Sequence, residues 1–140
     1  MKKGFMFLCF FLFCSNLFAA PLATKITVIV ASNQGSDFDL DNDVYRDQLI
    51  KLFSYTSYKQ TNQYSLRLEE GKQEILTIAD GYQLILTLYK QGKRNVLRAL
   101  IQKDNKQFLN TELSLTAGPV FLGGPPASSG DLIFVIEPLP

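Results

Sequence analysis

Apolar and polar positions repeat with a changing period along this 140-residue chain, and each change marks an element. Residues 25–32, K-I-T-V-I-V-A-S, are rich in β-branched side chains and predict a strand. From Asp43 the period lengthens. Val44, Gln48, Leu49, Leu52 and Phe53 then share one face at helical spacing, with Arg46, Asp47 and Lys51 outside it. This pattern predicts one amphipathic helix of about three turns, capped by Asn42 or Asp43, with an acidic cluster at its positive end. Period two returns at 53–58, which offers Phe53, Tyr55 and Tyr58 to one face. It continues at 64–68, where Tyr64, Leu66 and Leu68 point in and Ser65 and Arg67 point out.

Strands then recur at 74–78, 82–89, 95–101 and 108–116, divided by Asp80-Gly81, Gln91-Gly92-Lys93 and the K-D-N-K of 103–106, all turn chemistry. Two more follow at 120–122 and 132–136. The last is apolar at every position and bounded by Gly and Pro, which predicts a strand buried on both faces. The expected fold is mainly β (α+β): a strand–helix–strand opening followed by an antiparallel β-meander or sandwich.

The first residues change the expected setting. Met1-Lys2-Lys3 is a short positive region, 4–13 is almost unbroken apolar, and Leu17-Phe18-Ala19 offers small-residue subsites. That layout predicts a signal peptide over 1–19 and a single β-rich domain over 20–140. The apolar run falls short of the ~20 residues a spanning helix needs, so no stable membrane insertion is expected after cleavage. Cys9 and Cys14 both lie in this leader, and bulky Phe13 before Cys14 argues against a lipid anchor. The remaining chain has no cysteine, and the whole sequence has no histidine. The expected location is exported, periplasmic or outer-membrane associated, with secretion also open. Of 14 basic side chains the leader removes Lys2 and Lys3, leaving the rest against 13 acidic ones, a net charge of about −1. No basic excess points to a nucleic acid or an anionic membrane.

Candidate chemistry is narrowed further by what is missing. Without histidine there is no Ser-His-Asp triad and no imidazole base, and without cysteine there is no thiol nucleophile. Gly123-Gly124 lacks the G-x-G-x-x-G pattern and the Lys-Ser/Thr ending of phosphate loops. Glu69, Glu70, Glu74, Asp80 and Glu112 could supply a hydrolytic carboxylate pair, but each sits in a turn or at a solvent-facing strand position. The D-F-D-L-D-N-D run places Asp37, Asp39, Asp41 and Asp43 at alternate positions, as in the opening of a calcium loop. Asn42 stands where that loop turns on Gly, and Gln48 where it needs a bidentate Glu. No metal or cofactor is therefore expected, and the run reads as a helix N-terminal charge cluster. Tyr45, Phe53, Tyr55, Tyr58 and Tyr64 read as core aromatics before they read as a groove. The 123–130 stretch, G-G-P-P-A-S-S-G, reads as an exposed tip, with Gly123, Gly124, Pro125 and Pro126 the candidate partner contact.

T-E-L-S-L-T-A-G-P-V-F-L-G-G-P, a loop, then D-L-I-F-V-I-E-P resembles the end of the β-module of bacterial outer-membrane secretins. The matching positions are Gly118, Val120 to Gly124, Asp131 to Ile136 and Pro138. The chain departs from the pattern at Pro119, where a polar pair belongs, and in the shortness of 125–129. The chain as a whole is also similar to short exported bacterial β-rich proteins of unassigned function. Together these readings imply a non-enzymatic binding or structural component of the envelope, with a protein partner. The alternatives from other classes are a small carboxylate-dependent hydrolase and a calcium-dependent adhesion module.

Overall fold

The computed structural model describes residues 21–39, 45–115 and 118–139. In chain order the elements are β1 (Leu22–Ser32), β2 (Phe38–Asp39), α1 (Arg46–Leu52), β3 (Ser57–Leu68), β4 (Gln73–Thr77), β5 (Gln83–Gln91), β6 (Arg94–Lys103), β7 (Lys106–Leu115), β8 (Val120–Ala127) and β9 (Gly130–Pro138). A 3₁₀ turn over Ala79–Gly81 precedes β5. The signal peptide, Asn42 and Asp43, and the acidic pair Asp41 and Asp43 of the calcium reading lie outside the described residues.

Two sheets result. The first runs β2-β3-β1-β9-β8 and the second is the expected antiparallel meander β4-β5-β6-β7. All pairings of named strands are antiparallel except β2 with β3. The β6–β7 turn places Asp104 and Asn105 at φ 50° and 62°, the left-handed region that Asn and Asp tolerate best among non-glycine residues.

The apolar run 132–136 lies where its composition demands. Leu132, Phe134 and Ile136 face the second sheet and join Ile26, Val28, Leu84, Leu86 and Leu97 in the main core. Ile133 and Val135 face the other way, into a cluster with Ile29, Ala31, Tyr45, Leu49 and Tyr58 that α1 helps to cover. The molecule is thus a helix laid on one sheet of a β-sandwich. β9 is flanked by β1 and β8 and has no polar position between Leu132 and Ile136 to turn toward water. Each fully buried side chain of this kind contributes about 1.5–3 kcal/mol.

Three sequence expectations need correction. The helix spans 7 residues, not three turns. Its buried face is Tyr45, Leu49 and half-buried Phe53, whereas Leu52 is 60% exposed and Ile50 55%. A short helix over a flat sheet covers only a narrow stripe, so the broader apolar face has nothing to pack on. Second, 53–58 is not a strand: Phe53 ends α1, and β3 begins at Ser57. β3 instead runs without a break through the polar stretch 59–63. Between Val28 and Ile29 of β1 its register shifts, with Val28 opposite Asn62 and Ile29 opposite Gln60. Thr61 is the extra residue of this bulge, and its hydroxyl donates to the Val28 carbonyl at 3.3 Å. The bulge reverses the facing of the strand. Tyr58 therefore joins the helix-side cluster while Tyr64, an even number of residues later, packs on the main core.

Third, within 123–130 only Ser128-Ser129 is an exposed turn. Gly123, Gly124, Pro125 and Pro126 belong to β8, and Pro125 is buried. Gly124-Pro125 forms a bulge opposite Leu132. A Cβ on Gly124 would lie 2.7 Å from a Phe134 ring carbon, so the strand can approach β9 only without one. β8 is an edge strand, where prolines are tolerated because they have no N–H to leave unpaired.

Candidate functional site

The exposed tip is narrower than the expected 123–130 and lies beyond Gly123 to Pro126. It is Ser128-Ser129, the two-residue turn between Ala127 and Gly130. Three polar segments meet there at one end of the five-stranded sheet: the tip itself, Ser32-Asn33-Gln34 where β1 ends, and Tyr55 just after α1. They enclose an open cleft of about 380 Å³ whose floor includes Ala31, Gly130 and Asp131. A second recess of about 310 Å³ shares Ser32, Gln34 and Ser129 and extends along Ser57, Lys59 and Thr61. The two form one polar groove across the end of β1.

Both walls are fastened by long-range bonds. On one side the Thr56 hydroxyl donates to the Gly35 carbonyl at 2.6 Å, and the Thr56 N–H donates to Ser32 at 3.1 Å. On the other, Asp80 accepts from the Ser128 N–H at 2.5 Å and from its hydroxyl at 3.3 Å. The Tyr82 hydroxyl donates to the Pro126 carbonyl at 2.9 Å. Gly130 seats the tip on β1, since a Cβ there would lie 2.4 Å from the Ala31 carbonyl oxygen.

Among the described residues two charged side chains line the groove, and each has a partner. Asp131 accepts a hydrogen bond from the Tyr55 hydroxyl. That bond to a carboxylate, with partial burial, holds the Tyr55 phenol above its ordinary pKa. Lys59 lies 3.8 Å from Asp37, both exposed. Behind Tyr55, the Tyr58 ring packs edge-on at 6.2 Å, and its hydroxyl faces the Leu49 carbonyl at 3.3 Å. Burial raises the Tyr58 pKa, opposed by the Tyr55 N–H.

The other polar clusters lie elsewhere. Glu137 accepts from Tyr45 at 3.0 Å and pairs with Lys25 at 3.3 Å beside α1. On the outer face of the second sheet, Glu112 takes both the Tyr89 hydroxyl and Arg98, and these bonds lower its pKa. Glu69 pairs with Lys72 at 3.8 Å in the β3–β4 turn, and Asp80 caps the hairpin tip. The candidate carboxylates are thus spread over separate elements. Among the described residues no group of three metal-ligating side chains forms, and no helix is long and apolar enough to cross a membrane. Sequence reading missed the groove because its members lie up to 101 positions apart (Val30 to Asp131). The one local signal was Asp131, the polar residue that opens an otherwise apolar strand.

No protein-family model matches the chain, and no curated protein or solved structure matches it either.

Proposed function

We infer that the chain is an exported, non-enzymatic binding component of the bacterial cell envelope, periplasmic or outer-membrane associated, with the groove around Ser32, Gln34, Tyr55 and Ser129 as its binding surface. The observation that supports this most directly is that groove. Its polar walls are fixed by the Thr56, Asp80 and Tyr82 bonds, so little ordering entropy remains to be lost when something binds. The leader-like residues 1–19 support export, and the likeness of the closing strands to secretin β-modules supports an envelope setting. Gly123 to Pro126 precede this tip on β8, and in this reading the contact role is carried by Ser128-Ser129 beside them.

Affinity capture from envelope extracts tests the reading, comparing the native chain with Ser129→Trp. Ser129 is exposed, so the indole fills the groove without entering the core. The expected result is a component retained by the native chain and lost from the variant, with N-terminal sequencing of the exported protein starting at Ala20. Equal retention by both proteins would remove the groove from the binding role, and an intact Met1 on the exported protein would remove the cleaved leader.

A further inference from the structure

On the premise that this groove is the binding surface, we propose that its ligand is a neutral glycan chain, held by hydroxyl and amide side chains and the ring of Tyr55. Three features of the lining point to that class. Ser32, Ser128 and Ser129 present hydroxyls and Asn33 and Gln34 present amides. Such groups both donate and accept, as every sugar hydroxyl does. Second, among the described residues the lining carries one carboxylate and one ammonium and no cluster of like charge: Asp131 accepts from the Tyr55 hydroxyl, and Lys59 lies 3.8 Å from Asp37. A strongly charged ligand would find no cluster of opposite charge there to replace its lost hydration. Third, the apolar lining is limited to Val30, Ala31 and the Tyr55 ring. Protein docking is usually anchored by a large side chain in a desolvated apolar pocket, and none is present here. A single aromatic at the rim of a polar groove instead suits the C–H face of a pyranose, with the phenol held in place by Asp131.

Tyr55 orients through Asp131, the second residue of β9, while Gly130 brings the serine tip against β1. Glycan binding is thereby tied to β9, which contributes to both core clusters.

The test is amide NMR on the protein purified as the cell produces it. It is titrated separately with chitotetraose, maltotetraose and cellotetraose, and with tetragalacturonate as the anionic control. Concentrations reach about 20 mM, enough to fill a site with a Kd of about 1 mM. The expected result is saturable shifts at 31–34, 55 and 128–131 with at least one neutral tetrasaccharide. Binding should weaken by about tenfold or more in Ser129→Trp and in Tyr55→Ala. No such shifts with any of the three, or equal binding of tetragalacturonate, would overturn the ligand class. If capture from envelope extracts then still depends on Ser129, the groove binds a protein segment instead. If capture is also indifferent to Ser129, the binding reading falls with it.

Discussion

A methyl group on Gly130 has no room, since the Ala31 carbonyl oxygen stands 2.4 Å from its place and φ there is +152°. Ile133 presents the opposite case, a side chain 1% exposed whose removal leaves a void. Ile133→Ala is expected to cost about 2–5 kcal/mol through lost transfer energy and an unfilled cavity. Urea denaturation of this variant beside Ser129→Ala checks it, the latter being expected within about 0.5 kcal/mol of the native chain. Similar losses would contradict the assignment of Ile133 to the core. Titration provides a second prediction at this scale. The Tyr45 phenol is raised by burial, Tyr58 likewise, and Tyr55 by its bond to Asp131. Burial pulls the Lys25 ammonium down, but its bonds to Tyr45 and Glu137 outweigh this and hold it above the ordinary value. Each group binds its proton more tightly when folded. Its contribution is therefore complete below the ordinary tyrosine and lysine range near pH 10 and lost as pH rises through the folded values. The urea midpoint should fall as pH rises above about 10, and a flat profile would remove these groups from the stability balance.

Among elements, β3 makes the sharpest demand. Thr61 is the extra residue that lets Tyr58 serve the helix-side cluster and Tyr64 the main core. Deleting Thr61 yields a regular strand in which both tyrosines keep their faces. Deleting Ser65 instead reverses Leu66 and Leu68 relative to Tyr64, turning buried side chains outward. Near-UV circular dichroism should show tertiary structure in the Thr61 deletion and none in the Ser65 deletion. Two folded proteins would mean that the bulge does not set the facing. β8 presents an edge of another kind. Its two prolines and the Gly124-Pro125 bulge interrupt the row of donors that would invite another strand. Pro125→Ala with Pro126→Ala is therefore expected to shift the sedimentation profile toward dimers and larger species. An unchanged monomer would show that the prolines serve packing alone.

For the molecule as a whole, two clusters share the same two strands, β1 and β9, from opposite sides. Amide exchange should accordingly be slowest in 26–31 and 132–136. It should be fastest in α1, which has 7 residues, no side-chain cap and a single buried residue, Leu49. Protection in α1 equal to that in β9 would contradict this ordering. Neither cysteine lies among the described residues, so no disulfide there contributes to this hierarchy.

The sequence by itself determined the β-rich class, the four-strand meander and the double burial of 132–136. These follow from local information: the period of apolar residues, turn chemistry at Asp80-Gly81, 91–93 and 103–106, and a strand with no polar position. The tertiary structure alone decided where that periodicity is broken. A polar run such as 59–63 can be a loop or an exposed strand, and only pairing with β1 makes it β3. G-G-P-P can be a tip or an edge strand, and only the closeness of Phe134 and Leu132 to Gly124 requires the latter. The groove was decided last of all, because Ser32, Tyr55 and Asp131 acquire a common chemistry only when strands far apart in the chain end side by side.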